Sequence, residues 1–180
     1  MTENNYSIPE ILDLLDKAFD DVNEVCQPLD ESSFSQITGA KWSVAQNLDH
    51  LILSAKPVAS ALNMPKITFL AFGKASKPSR TYQGVVAFYK EALANGGVST
   101  SQYLPKDKPY DLDKQKLLES WMKIPVYFRQ NTKNWNEKEL DEKRIPHPLL
   151  GKLTFREMLY FTIGHTYHHL EAMKKATNRG

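Results

Sequence analysis

The segment LTFREMLYFTIGHTYHHLEAMKKA, residues 153–176, predicts a long amphipathic helix and is the best-defined element of the sequence. Thr154 followed by Glu157 forms a capping-box pattern, in which each side chain can accept a hydrogen bond from the backbone N–H of the other residue. Leu153 and Met158 flank this cap as a hydrophobic staple. The apolar residues that follow recur at helical spacing, so the helix is expected to continue to the end of the segment.

This predicted helix carries three of the five histidines of the chain, at positions 165, 168 and 169. His165 and His169 are four residues apart, which places their rings about 40° apart around the helix axis and about 6 Å apart along it. A buried imidazole without a partner costs roughly 1 to 3 kcal/mol, so two of them in register require partners. The pair lies on an apolar stripe that should face the core, formed by Met158, Phe161 and Met173.

A divalent cation shared by the two rings requires a third ligand from another segment. His50 is the best candidate, because it lies within a second predicted helix that begins at a further capping box, Ser43 with Gln46. Three neutral imidazoles from His50, His165 and His169 would leave a fourth position for water or substrate, as in catalytic rather than structural zinc sites. The alternative for each ring is a hydrogen bond to a backbone carbonyl or a buried hydroxyl.

Four long segments carry the helical apolar pattern. Besides residues 153–176, they run from about Ser7 to Cys26, from about Val44 to Asn63, and from just after Asp111 or Asp113 to Trp135. No segment alternates with period two for long enough to predict a sheet. Four such helices can bury their apolar stripes only against one another, so the predicted fold is an all-α helical bundle of four helices.

Other features divide or bend these helices. Pro57 and Pro125 fall inside the second and third helices and should bend them. Between these two helices only one short helix, Gly84–Ala94, is predicted, because the rest of that stretch mixes glycines and prolines with basic residues. Its four cations could hold a phosphate or carboxylate, but a solvated loop is the preferred interpretation for Lys66, Lys74, Lys77 and Arg80.

Composition limits the class of function. The 180 residues, 41% hydrophobic and 24% charged, fit one domain spanning residues 1–180. A formal net charge of +2 gives no strong field, so nucleic acid and membrane are not expected partners. No signal-peptide pattern and no apolar run of roughly 18 residues occurs, and a cytoplasmic location is expected. Cys26 is the only cysteine, in apolar surroundings that favour a buried side chain without a catalytic role.

The sequence does not identify a catalytic residue besides the candidate metal ligands. The serine-nucleophile and phosphate-binding glycine motifs are absent from the sequence. His168 lies about 100° from His169 around the helix and should orient a neighbour or face solvent at the mouth of the site. His147, in the turn IPHPLLGK, is interpreted as a loop residue, with a role near the metal left open. The nearest candidates for acid and base roles are Gln46, Asp49, Glu157, Tyr167 and His168. Asp49 points to another face of its helix and is interpreted as a surface charge.

Two blocks of the sequence, KWSVAQNLDHL at 41–51 and HPLLGKLTFREMLYFTIGHTYHHLE at 147–171, together resemble the DinB-like (DinB/YfiT-like) superfamily of metal-binding proteins. They share a tryptophan-serine helix start with a histidine eight residues after the tryptophan, and a C-terminal H-x-x-H-H. The resemblance implies an up-and-down four-helix bundle with a long connection between helices 2 and 3, usually assembled as a homodimer. It also implies a divalent ion, zinc or nickel, held by His50, His165 and His169.

The resemblance also bears on the reaction. Characterised members of the superfamily include S-transferases that use bacillithiol or mycothiol and a mycothiol-dependent maleylpyruvate isomerase. It implies a metal-dependent transferase or hydrolase for a small-molecule substrate, with a low-molecular-weight thiol as a candidate co-substrate. This chain has Gln46 where many relatives have a glutamate, and Leu170 to Ala172 where many have a basic residue followed by Gly-Gln. The resemblance therefore does not identify which thiol this protein would use. The alternative is a non-enzymatic, metal-braced dimeric binding or scaffold protein.

Overall fold

The computed structural model describes residues 5–37, 39, 41–105 and 108–177. The predicted all-α four-helix bundle is confirmed, and its long helices are α1, α3, α5 and α7. In chain order the elements are α1 (Ile8–Cys26), α2 (Glu31–Ser35), α3 (Val44–Ala61), α4 (Tyr82–Ala94), α5 (Lys114–Thr132), α6 (Glu137–Glu142), β1 (Arg144–His147), β2 (Gly151–Thr154) and α7 (Phe155–Thr177). Short 3₁₀ helices occupy Lys66–Phe72, Ser101–Tyr103 and Pro109–Asp111.

The capping boxes predicted for α3 and α7 are present. Ser43 Oγ accepts from the backbone N–H of Gln46 at 3.1 Å, and Gln46 Oε1 accepts from the N–H of Ser43 at 3.2 Å. Thr154 and Glu157 make the same reciprocal pair at 3.1 and 3.0 Å. These bonds satisfy N–H groups that the first turn of a helix leaves without a partner. Helices α3 and α7 therefore begin directly after the predicted cap residues, Ser43 and Thr154.

Hydrogen bonds between the helices establish their directions. The Tyr6 N–H, just before α1, donates to the Tyr160 hydroxyl at 2.9 Å, and the Tyr167 hydroxyl donates to Asp21 at 3.2 Å. Helices α1 and α7 therefore run parallel. Helix α5 is antiparallel to α1, since Arg129 near its end pairs with Asp13 near the start of α1 at 2.8 Å.

Helices α3 and α5 also run parallel. Near the ends of both, Asn131 Nδ2 donates to the Ala59 carbonyl at 2.7 Å, and Trp135 Nε1 donates to the Leu62 carbonyl at 2.8 Å. The directions of the bundle are thus up, down, down, up, which refines the predicted up-and-down arrangement. Helix α3 packs against α5 and α7, and α1 packs against the same two helices. In the described part of the chain, α1 therefore lies diagonal to α3.

The parallel pair explains the long connection between helices 2 and 3, which the structure confirms as residues 62–113. Consecutive parallel helices require the chain to return along the length of the bundle, about 27 Å for an 18-residue helix such as α3. The return segment contains α4, which starts at Tyr82 rather than at the predicted Gly84 because Thr81 caps it. Helix α4 packs across α7, where a side chain on Gly164 would meet Val86 at 2.9 Å.

The structure contains a small sheet that the sequence did not predict. Strands β1 and β2 form an antiparallel hairpin that pairs Arg144 with Thr154 and His147 with Gly151. Each strand has four residues, too few to produce a period-two pattern. The hairpin is held by tertiary contacts instead, including Arg144 Nη2, which donates to the Phe72 carbonyl at 2.8 Å. Strand β2 ends at Thr154, and α7 begins at the next residue.

The core contains the bulky side chains of the long helices. Trp121 stacks on Phe19 with ring centroids 4.0 Å apart, and its Nε1 donates to the Phe19 carbonyl at 3.1 Å. Cys26 is buried, as predicted, and burial raises the pKa of its thiol to about 12. Both α3 and α5 continue through Pro57 and Pro125. Among the described residues, no helix combines the length and apolar character needed to cross a membrane.

Candidate metal centre

The three histidines predicted as metal ligands meet in the core. His50 extends from α3, and His165 and His169 extend from the middle of α7. All three side chains are buried, and one nitrogen from each lies within 4.8 Å of the others. His50 Nε2 and His165 Nε2 lie 3.0 Å apart. Ligands of a tetrahedral zinc ion, at 2.0 to 2.1 Å from the metal, lie about 3.4 Å apart, so the His50 and His165 nitrogens would have to separate slightly to hold an ion between them.

Two of the rings have their tautomer fixed by a hydrogen bond on the far nitrogen. His50 Nδ1 donates to the Tyr103 carbonyl at 2.7 Å, and His169 Nδ1 donates to Asn47 Oδ1 at 2.7 Å. Because these oxygens can only accept, Nδ1 carries the proton in both neutral rings and Nε2 keeps its lone pair. Metal-binding histidines commonly have such a partner on the nitrogen that does not bind the ion.

Asn47 and Tyr103 are site residues that sequence reasoning missed. Asn47 lies one turn before His50, and its amide is oriented by Nδ2, which donates to the Ser43 carbonyl at 2.8 Å. A conspicuous Asn on the buried face of α3 could have indicated this role. Tyr103 places its backbone carbonyl against His50 from the return segment, and no side-chain motif can indicate such a contact.

The ionisation of the three rings suits a cation. Burial lowers the pKa of His169 to about 2, helped by the positive charge that His50 and His168 would carry. The pKa of His165 is also well below its ordinary value, through burial first and then the neighbouring imidazoles. Burial likewise lowers the pKa of His50, although its bond to Tyr103 opposes the shift. At neutral pH the rings are therefore uncharged, which is the form that binds metal.

His147 is part of the site wall rather than a simple loop residue. It ends β1, and its ring packs on Phe161 with centroids 4.2 Å apart. Its Nδ1 accepts from the N–H groups of Leu149 and Leu150 at 3.2 and 3.0 Å. The neutral ring therefore carries its proton on Nε2. Burial lowers the pKa of His147 to about 4, which keeps the ring neutral at pH 7.

His168 is exposed on α7, as predicted. Its ring meets the edge of the His169 ring at 5.1 Å and that of Tyr89 at 5.8 Å. The pKa of His168 is lowered by partial burial and by the positive charges of Lys175 and Lys90. It lies at the rim of the site rather than among the candidate ligands.

The other candidates for acid and base roles have structural partners. Gln46 belongs to the α3 capping box. Glu157 accepts from Thr154 and also from Arg80, whose backbone N–H lies at 3.0 Å and whose Nη1 lies at 2.8 Å. Tyr167 donates to Asp21, and Asp49 is half-buried rather than a plain surface charge.

A cavity of about 540 Å³ lies beside the triad. All five histidines of the chain contribute to its lining, together with apolar side chains such as Leu93, Met158 and Phe161. Among the described residues that line it, none is Asp, Glu, Lys or Arg. Ligand pockets of small molecules have this size and apolar character. The cavity, called the first cavity below, therefore suits a neutral, largely apolar molecule.

Comparison with known proteins agrees with this geometry. The sequence matches the DinB superfamily over residues 14–173, a range that contains the triad. The fold is similar to that of YfiT from Bacillus subtilis, described as "a probable metal-dependent hydrolase with an unusual four-helix bundle topology"; the TM-score is 0.56 at 15% identity, over 99% of this chain and 91% of that one. No match was found among curated proteins. Since the family match spans most of its length, the chain belongs to the DinB superfamily.

Proposed function

We propose that this protein is a divalent-metal-dependent enzyme, a hydrolase or a transferase, that acts on a small neutral molecule. His50, His165 and His169 are the proposed ligands of the ion. The observation that carries the proposal is the convergence of three buried imidazoles, with nitrogens within 4.8 Å of one another, at the wall of a cavity of about 540 Å³. The description of YfiT as a probable metal-dependent hydrolase supports the same class of reaction.

The donor set fits zinc or nickel. Imidazole nitrogen is a good ligand for both ions, and bonds on Nδ1 hold His50 and His169 in the tautomer whose Nε2 carries a lone pair. Three protein ligands leave room for a further one. An ion bound there supplies Lewis acidity, and it lowers the pKa of a water or thiol that it coordinates toward about 7.

The chain's own residues supply binding and orientation. The apolar lining of the first cavity excludes water and favours a neutral substrate portion. His147 presents a neutral ring with its proton on Nε2, a donor suited to a carbonyl or ether oxygen of the substrate. His168, at the rim and exposed, is the group that can exchange a proton with solvent. These roles belong to the proposal, and so does a low-molecular-weight thiol as co-substrate.

Cobalt substitution tests the proposal. Cobalt(II) protein should gain d–d absorption bands, and the bands should shift when azide or a small thiol such as 2-mercaptoethanol is added, because an enzyme site has an exchangeable position. His165→Ala should show neither the bands nor the shift. A spectrum that neither probe alters would contradict an enzymatic role and favour a bundle that the ion merely braces.

Two further expectations stay predictions. The homodimer can be tested by light scattering of the purified chain, and the cytoplasmic location by fractionation of the cells that produce it. Neither is needed for the geometry of the triad, since all three candidate ligands come from one chain.

A further inference from the structure

A second cavity, of about 690 Å³, adjoins the first cavity at His169. Four residues line both cavities and form the wall between them: Trp42, Tyr89, His168 and His169. In this wall Trp42 stacks on His169 with ring centroids 6.0 Å apart. A molecule in the second cavity would therefore lie against a candidate metal ligand while remaining outside the first cavity.

The two cavities differ in charge. The lining of the second cavity includes Lys41, Lys90 and Lys175 and a single acidic residue, Glu171. Glu171 is exposed and pairs with Lys174 at 3.8 Å. Within residues 5–37, 39, 41–105 and 108–177, none of the three cavity lysines takes part in an ion pair. Three unpaired cations around one concave surface create a positive potential that favours an anion.

The walls of the second cavity are aromatic. Trp42, Tyr82, Tyr89 and Tyr167 contribute to its lining, and Tyr89 is buried. Aromatic walls provide rigid apolar area for an organic molecule. A hydrated inorganic ion would use only the lysines, whereas an organic anion would use both features.

We propose that the second cavity binds a small organic anion that bears a carboxylate or phosphate group, held by Lys90 and Lys175 with Lys41 at the rim. This goes beyond the proposed function, because the binding uses the lysines and the aromatic wall and requires no metal. The protein then has two adjoining binding sites of different chemistry, one for a neutral apolar molecule and one for an anion, separated by His169 and its neighbours.

Calorimetric titration with succinate, succinamide and inorganic phosphate tests this site on the full-length protein. Succinate should bind, with an affinity that falls as the salt concentration rises, and uncharged succinamide should not. The double variant Lys90→Gln/Lys175→Gln should bind succinate at least about tenfold more weakly, because charge-assisted bonds are lost. The matched control Lys123→Gln/Lys133→Gln removes two exposed charges from α5 and its end, and it should bind as the parent does. Binding of phosphate as tight as that of succinate would indicate that the phosphate group itself is recognised; weaker phosphate binding would indicate a carboxylate.

The His165→Ala variant separates this proposal from the metal site. It should keep succinate binding, even if no form of the protein binds a metal. Loss of succinate binding in His165→Ala, with full binding in Lys90→Gln/Lys175→Gln, would place the anion at the triad and overturn the proposal. Failure of the parent to bind either succinate or phosphate would overturn it as well.

Discussion

His50 Nε2 lies 3.0 Å from His165 Nε2, although 115 positions separate the two residues in the chain. The contact depends on the antiparallel packing of α3 and α7, which also brings Asn47 to His169. Two lone pairs cannot face each other at this distance without a proton or a cation between them. The pair is therefore a hydrogen bond in the metal-free protein, and the proposed function makes it a pair of ligands when an ion binds.

His165→Ala should abolish stoichiometric metal binding and leave helicity nearly unchanged, because the side chains around the triad are mostly apolar and remain packed. Elemental analysis of untagged, chelator-free protein and far-ultraviolet circular dichroism provide the two measurements. His168→Ala is the control and should retain the metal, since its ring lies at the rim. Equal metal content in parent and His165→Ala would contradict the ligand assignment.

Asn47→Ala should weaken metal binding by roughly 10- to 100-fold, because His169 Nδ1 loses the acceptor that fixes its tautomer. Asn47→Asp keeps an acceptor for His169 Nδ1 but loses the amide that donates to the Ser43 carbonyl, so it should restore part of the affinity. Competition with a fluorescent zinc chelator measures both. If the alanine and aspartate variants bind zinc equally, the contact has no role in holding the ligand.

Acid should destabilise the metal-free protein. The pKa of His169 falls from 6.5 to about 2 on folding, so between these values the unfolded chain binds more protons and stability decreases as pH decreases. Each such histidine contributes up to about 1.4 kcal/mol per pH unit below about pH 6.5. Urea unfolding in the presence of chelator, at about pH 7.5, 6.5 and 5.5, measures this slope. In His169→Gln the slope of the unfolding free energy against pH should be smaller by up to about 1.4 kcal/mol per pH unit. An unchanged slope would show that His169 is protonated as readily in the folded protein as in the unfolded chain.

His147→Ala should leave stoichiometric metal binding unchanged, because its ring is outside the triad. It should lower the free energy of unfolding by about 1 to 3 kcal/mol, since the N–H groups of Leu149 and Leu150 lose their acceptor. Nitrogen-15 spectra of the parent should show an unprotonated Nδ1 and a protonated Nε2 for His147. Loss of metal in the variant would instead make His147 part of the metal site.

Local interactions explain what could be predicted about the helices. The starts of α3 and α7 depend on side chains three residues apart, Ser43 with Gln46 and Thr154 with Glu157, so a short window of sequence contains all the information. The hairpin was missed for the opposite reason. Its four-residue strands carry no periodic signal and are stabilised by contacts with residues distant in the chain, such as the bond from Arg144 to the Phe72 carbonyl.

The sequence by itself determined the four amphipathic helices and the register that puts His165 and His169 on one buried face, because helical periodicity depends only on spacing along the chain. The tertiary structure alone decided the up-down-down-up directions, the Tyr103 carbonyl behind His50 and the two cavities. Backbone acceptors and concave surfaces arise when segments far apart in the chain pack together, and no local pattern records which segments will meet.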